Sequence, residues 1–290
     1  MVKKAIVPIR GYLLHLTHYS PGWWLRKRRE RPIDLRLALE IIDAIAKAGF
    51  NMLIVDCEDG LRYKSHPELK RRYSIPQSGL RKLLDFARKK RLELVPKLNF
   101  SKSRHHRHDY WMRPYHTLLD TDQYWKVAFE LIDELIEVFR PKRFFHIGMD
   151  EDDTRTHGQY IKAVLKLRQG LKERGLRTII WNDTALGRRR PWHTRKSIAA
   201  EKELPKDIVQ VVWDYKHARP SVVKRILDEG FDVWVAPGKK TIQVLRWEKY
   251  VIKYGAKGLV MTTWLPCRPH NRSRMLNLIQ MVGPVYSSGL

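Results

Sequence analysis

AKAGFNMLIV, residues 46–55, decides the fold: an amphipathic helix runs out, a glycine follows, and a continuously apolar strand begins. A glycine just past a helix supplies the left-handed turn that lets the chain re-enter a sheet. The cadence recurs in KERGLRTIIW (172–181), LDEGFDVWVA (227–236) and KYGAKGLVMTTW (253–264). Strands this apolar throughout belong to a parallel sheet covered on both faces.

Working outward, eight strand candidates emerge. They are YLLHLTH (12–18), NMLIVDC (51–57), LELVPKL (92–98), FFHIGMD (144–150), TIIWND (178–183), IVQVVWDY (208–215), FDVWVA (231–236) and GLVMTTWL (258–265). Helical periodicity separates them, most clearly in 35–48, 124–139 and 158–175. Eight strand–helix units in 290 residues fit a single (β/α)8 TIM barrel, whose usual length is ~250 residues. Residues 1–290 therefore read as one catalytic domain. A doubly wound open sheet is the competitor, but it carries a Gly-rich phosphate turn after its first strand, and GYLLHLTHYSPGWW (11–24) has none.

Composition narrows the function classes. Hydrophobic content of 43% with 10% aromatics suits a filled core, and no apolar stretch approaches the ~18 residues of a membrane span. MVKKAIVPIR lacks the long apolar region of a signal peptide, so a cytoplasmic protein without membrane contact is expected. Cys57 and Cys267 have neither disulfide-framework nor zinc-ligand spacing and are expected as thiols. Lys+Arg 57 against Asp+Glu 31 gives +26. The cations fall in separate clusters, RKRRER (26–31), KRR (70–72), ARKKR (87–91) and GRRR (187–190), as in a solvated surface. Without a zinc-finger, RNP or phosphate-loop motif, nucleic acid is expected to bind only non-specifically, through net charge.

Barrel active sites form at the C-terminal ends of the strands. Those ends carry His15 and His18; Asp56, Glu58 and Asp59; Asn99; Asp150 and Glu151; Trp181 and Asp183; Trp213, Asp214 and Tyr215; and Trp264. Indole faces stack on the apolar faces of sugar rings, and carboxylates grip hydroxyls and move protons. A rim combining them reads as a carbohydrate site. Asp152 and Asp153 complete a run of four acids and are expected to cap the following helix. His146, two residues before Gly148, is expected to point inward below Asp150.

HIGMDE, residues 146–151, resembles the His-x-Gly-x-Asp-Glu signature of glycoside hydrolase family 20, the β-N-acetylhexosaminidases. NMLIVDCEDGLRY (51–63), IIWND (179–183), VVWDY (211–215) and GLVMTTW (258–264) extend the likeness to the compact, single-barrel hexosaminidase D type, over about residues 11–282. The resemblance implies substrate-assisted retaining hydrolysis, an exception to the two-carboxylate scheme. It makes Glu151 the general acid and base. Asp150 would orient the 2-acetamido group of a terminal β-linked GlcNAc or GalNAc. Trp181, Trp213 and Trp264 would form aromatic walls, and Tyr215 would offer its hydroxyl to the acetamido oxygen. Asp183 and Asp214 would support the site by hydrogen bonding. Glu58 and Asp59 would hold sugar hydroxyls, with a salt bridge to Arg62 as the alternative. His146 joins the substrate-binding candidates, with a hydrogen-bonded core histidine as its alternative.

The chain also departs from that pattern. His18 stands where many members carry a sugar-gripping arginine, and strand three has Lys97 and Asn99 in place of the common Pro-Glu-Ile-Asp run. His105, His106 and His108 are candidates for a loop histidine of the family. No metal or other cofactor is expected, and the expected partner is an N-acetylhexosamine-containing glycan. A non-catalytic sugar- or polyanion-binding barrel is the alternative. A barrel glycosidase pairing Glu151 with Glu58 or Asp183 is a third reading.

Overall fold

A computed structural model describes residues 7–17, 30–103 and 107–287. His18, His105 and His106 lie outside these residues, as does the side chain of His108. Eight parallel strands close into a barrel in sequence order. They are β1 (Ile9–His15), β2 (Met52–Asp56), β3 (Glu93–Lys97), β4 (Phe144–His146), β5 (Arg177–Asn182), β6 (Val209–Trp213), β7 (Val233–Ala236) and β8 (Gly258–Thr262). Around them run α1 (Leu35–Lys47), α2 (Gln77–Lys89), α3 (Asp122–Phe139), α4 (His157–Glu173), α5 (Pro191–Glu203), α6 (Pro220–Asp228), α7 (Thr241–Tyr254) and α8 (Arg272–Ser287). Among the described residues, no helix is long and apolar enough to cross a membrane.

Local chemistry sets the element ends. Asp34 accepts the Leu37 N–H at the start of α1, and Leu37, Ala38, Ile41, Ile42 and Ile45 then recur on one face and are buried. A reciprocal capping box between Thr156 and Gln159 opens α4. The glycines of the recurring cadence, Gly49, Gly175, Gly230 and Gly255, all take left-handed backbone, with φ between 72° and 90°. Each lets the chain leave a helix and enter the next strand.

One apolar core lies between strands and helices, and a second fills the barrel itself. Inside the barrel, Leu13, Ile54, Val95, Phe144, Ile179, Val211 and Trp234 form the lower layers. The Trp234 indole lies so close to β8 that a Cβ on Gly258 would stand 2.3 Å from its Cγ. Toward the C-terminal end the filling turns polar. The strand register aligns His15 with Asp56, Asp56 with Lys97, and Lys97 with His146, so four polar residues form one row across β1–β4. Cys57 and Cys267 are free and buried, as expected.

The strands stop earlier than the apolar pattern suggests. β4 ends at His146, and the chain then turns through Gly148 at φ 71°, Met149 at φ 76° and Glu151 at φ 47°. Strand alternation would send Asp150 and Glu151 to opposite faces of the sheet, and the left-handed turn removes that constraint.

Candidate active site

Asn99 is the bolt of the site. Its side-chain oxygen accepts the N–H groups of Met149 (2.9 Å) and Ser101 (3.0 Å), and its amide nitrogen donates to Asp150 Oδ1 at 2.8 Å. Trp111 holds Asn99 in turn, its indole N–H donating to the Asn99 carbonyl at 2.7 Å. This packing explains the glycine of HIGMDE. A Cβ on Gly148 would sit 2.1 Å from Asn99 Oδ1 and 2.7 Å from its Cα, at a φ that L residues rarely adopt.

Glu151 is 7% exposed, and its N–H donates to Asp183 Oδ2 at 2.8 Å. The other Asp183 oxygen accepts the Trp213 indole N–H at 2.9 Å. Burial, joined by the charges of Asp150 and Glu151, pushes the Asp183 carboxyl well above the usual carboxylate range, despite those two donors. Three acids thus share one corner of the mouth. Arg190 Nε stands 3.4 Å from Glu151 Oε1.

Aromatic rings adjoin this corner, joined to it through Trp213. His146 and Trp181 lie 4.6 Å apart, Trp181 and Trp264 6.5 Å, Tyr215 and Trp264 6.5 Å, and Trp213 and Tyr215 5.3 Å. Trp181 is buried as the floor, while Trp213 and Trp264 stay partly exposed. Trp264 donates its indole N–H to the Tyr215 oxygen at 2.8 Å, which leaves the Tyr215 proton directed elsewhere.

Below this wall lies the polar row. Lys97 Nζ is 2.8 Å from Asp56 Oδ2 and 3.6 Å from Glu58 Oε1, with all three side chains at most 2% exposed. His15 Nδ1 meets the same Asp56 oxygen at 3.1 Å, and its ring lies 4.7 Å from that of Trp264, tilted by 31°. Burial works to raise the Asp56 carboxyl, but Lys97 and His15 overcome it and hold the group below its ordinary value. Burial likewise opposes the Lys97 charge, yet Asp56, Glu58 and Asp150 keep Lys97 above its ordinary value. His146 is held well below 6.5 by burial and by Lys97, and its Nδ1 accepts the Gly148 N–H at 3.0 Å. It is a hydrogen-bonded core residue at the floor of the site.

Several expected residues stand elsewhere. Asp214, fully buried, turns away from the rings of its neighbours Trp213 and Tyr215. It binds Arg189 at 2.7 Å and the N–H groups of Lys216 and His217. Asp59 accepts the Tyr73 hydroxyl at 2.7 Å, and Arg62 donates to the Ser74 carbonyl. Asp152 does not cap α4, since Thr156 does. Instead it is buried between Arg155 (2.7 Å) and Lys196 (3.2 Å), locking the segment after Glu151 onto α5. Arg190 was hidden in a charge run that reads as solvated surface.

Four residues around the mouth, Glu58, Met149, Glu151 and Trp264, are non-glycines at positive φ. Such backbone persists only where its surroundings over-determine it, and it clusters at functional sites.

Comparison with protein-family models gives no match, and neither does comparison with curated proteins. Solved structures do match. The family 20 exo-β-N-acetylglucosaminidase from Vibrio harveyi, crystallised with N-acetylglucosamine, superposes with a TM-score of 0.65 at 13% identity, over 98% of this chain and 54% of that one. Dispersin B gives 0.58 at 16% identity, over 89% and 95%. The Flavobacterium johnsoniae chitobiase gives 0.61 at 14%, over 96% and 52%. The chain spans about half the length of the Vibrio and Flavobacterium enzymes. Its fold is that of the family 20 hexosaminidases, and the resemblance carried by HIGMDE holds at that level.

Proposed function

We propose that this protein is a glycoside hydrolase that removes terminal β-linked N-acetylhexosamine by substrate-assisted catalysis. The observation that carries the reading is the placement of adjacent Asp150 and Glu151 at the barrel mouth, each held by its own buried partner, beside an aromatic wall. Asp150 would accept the acetamido N–H and turn the acetamido oxygen toward the anomeric carbon, with the Tyr215 hydroxyl donating to that oxygen. As the oxygen closes on the carbon, Glu151 passes its proton to the departing glycosidic oxygen. Glu151 then takes a proton from water, which attacks the anomeric carbon and restores the amide. Fixed anions aimed at a charge that exists only during reaction stabilise the transition state more than the ground state.

Chromogenic β-GlcNAc, β-GalNAc and β-glucoside, assayed with the native chain, Glu151→Gln and Asp150→Asn, test the proposal. Turnover is expected only where a 2-acetamido group is present, with losses of ~10²–10⁴-fold in each variant. Equal activity on the plain glucoside would overturn the substrate-assisted mechanism. No turnover of any of the three would leave a sugar-binding barrel.

A further inference from the structure

Trp192 is the one exposed tryptophan among the described residues, at 42%, and the only exposed large apolar side chain on α5. Its ring is nonetheless held. His157 lies 5.0 Å away, and Lys196 Nζ stands over the indole at 5.4 Å from the centroid. That ammonium is itself fixed, donating to the carbonyls of Asp152 at 2.5 Å and Arg155 at 2.6 Å. Lys196 takes one face of the indole, so the open area belongs to the other. The contacts on either side of Trp192 tie it to the acid. Two residues earlier, Arg190 Nε stands 3.4 Å from Glu151 Oε1. The next residue, His193, is buried within the field of Glu151: burial lowers its proton affinity and the Glu151 charge raises it. One turn further on, Lys196 bonds the residue that follows Glu151. Trp192 therefore stands on the rim beside the acid, carried by α5, whereas Trp181, Trp213 and Trp264 belong to the strand ends of the pocket.

Resting on the hydrolase reading above, we infer that Trp192 is the platform for the sugar on the leaving side of the scissile bond, so that the substrate is a glycan whose terminal N-acetylhexosamine is joined to a further pyranose. The general acid fixes the direction. Glu151 must come within hydrogen-bond reach of the glycosidic oxygen, so the leaving sugar projects past Glu151 while the retained sugar lies against the pocket rings. A pyranose offers a face of C–H bonds to a flat apolar surface. An indole already held in place supplies that surface at little entropic cost. Trp192 thus selects what the terminal sugar is attached to, and the pocket selects the terminal sugar.

Diacetylchitobiose and methyl β-GlcNAc test this, because they share the transferred sugar and differ in whether a pyranose leaves. The ratio of their kcat/KM values should fall by about tenfold in Trp192→Ala, the scale of losing one aromatic anchor. Trp192→Leu keeps apolar bulk over Lys196 without a flat face, and it should lose the ratio as alanine does; it decides alone if the alanine variant does not fold. Trp192→Phe, which retains an aromatic face, should keep most of the ratio. A native ratio in Trp192→Leu would overturn the inference. If neither sugar is hydrolysed by the native chain, the hydrolase reading fails separately, and calorimetric titration with the same two sugars decides. Tighter binding of diacetylchitobiose, lost in Trp192→Leu, sustains the platform; equal affinities, or no binding of either, refute it.

Discussion

Replacing Lys97 by methionine removes an ammonium that faces Asp56 at 2.8 Å and Glu58 at 3.6 Å inside the barrel. Methionine matches the lysine stem in length and is flexible enough to fill its space, so the loss isolates the charge. Breaking a buried ion pair by deleting one partner costs roughly 3–5 kcal/mol, because the remaining charge stays desolvated. For 290 residues the unfolding entropy near the midpoint is about 0.6 kcal/mol/K, so the melting temperature should drop by about 5–8 °C. Asp56→Asn alone should cost a comparable amount. The double variant should cost less than the sum of the singles, by about 2 kcal/mol, as directly contacting charges do. Equilibrium unfolding in urea, followed by indole fluorescence, measures all three. A second signature is pH. Burial holds His15 below its ordinary value, Asp56 pulls it up, and Lys97 adds a smaller push down. Without Lys97, His15 should bind its proton at a higher pH than in the native chain, so the variant's deficit should narrow as pH falls. Singles that add within 0.5 kcal/mol, with a pH-independent deficit, would refute the reasoning.

Two further outcomes follow from the site. Gly148→Ala should leave the barrel folded but displace Asn99 and with it Asp150, lowering kcat on a chromogenic GlcNAc substrate by about 100-fold, a loss within the usual range for misplaced catalytic groups; near-native turnover would show that Asn99 does not set the geometry. The folded protein holds His146 well below 6.5, so the unfolded chain binds more protons once pH drops beneath that value. Stability should therefore be fully present well above pH 6.5 and fall on acidification; in His146→Asn, which keeps an acceptor for the Gly148 N–H, unfolding free energy measured from pH 7 to 5 should decline less steeply, the difference in slope approaching about 1.4 kcal/mol per pH unit only well below pH 6.5.

The barrel was legible because its cues are local. A glycine past a helix and an apolar run after it need no tertiary knowledge, and Gly49, Gly175, Gly230 and Gly255 adopt the backbone that cue requires. Strand ends were overestimated for a physical reason. Ile147 and Met149 continue the apolar pattern but are buried in the outer core beyond the last strand pairing. The Asp-Glu pair was visible as a charge run ending an apolar strand, whereas its supports were not. Asn99 follows β3 and Asp183 follows β5, on either side of β4, so only the closed barrel brings them to 150 and 151. The row His15, Asp56, Lys97 and His146 had a signal, a polar residue at the last inward position of four successive strands. Its meaning depends on register, which periodicity alone does not supply. Asp214 sits between two aromatic site residues, and strand alternation turns it to the arginines behind them.

The twisted backbone of the mouth also bears on how such a protein responds to selection for heat tolerance. Each non-glycine forced to positive φ costs about 1–3 kcal/mol, and relief is simplest at Glu151, where glycine would remove the penalty without emptying the apolar core, to which Glu151 does not belong. A screen scoring only survival at high temperature would therefore reach the segment that presents the acid pair, trading turnover for melting point. Durable variants that keep their activity should carry their changes on the outer helices, well away from residues 147–151.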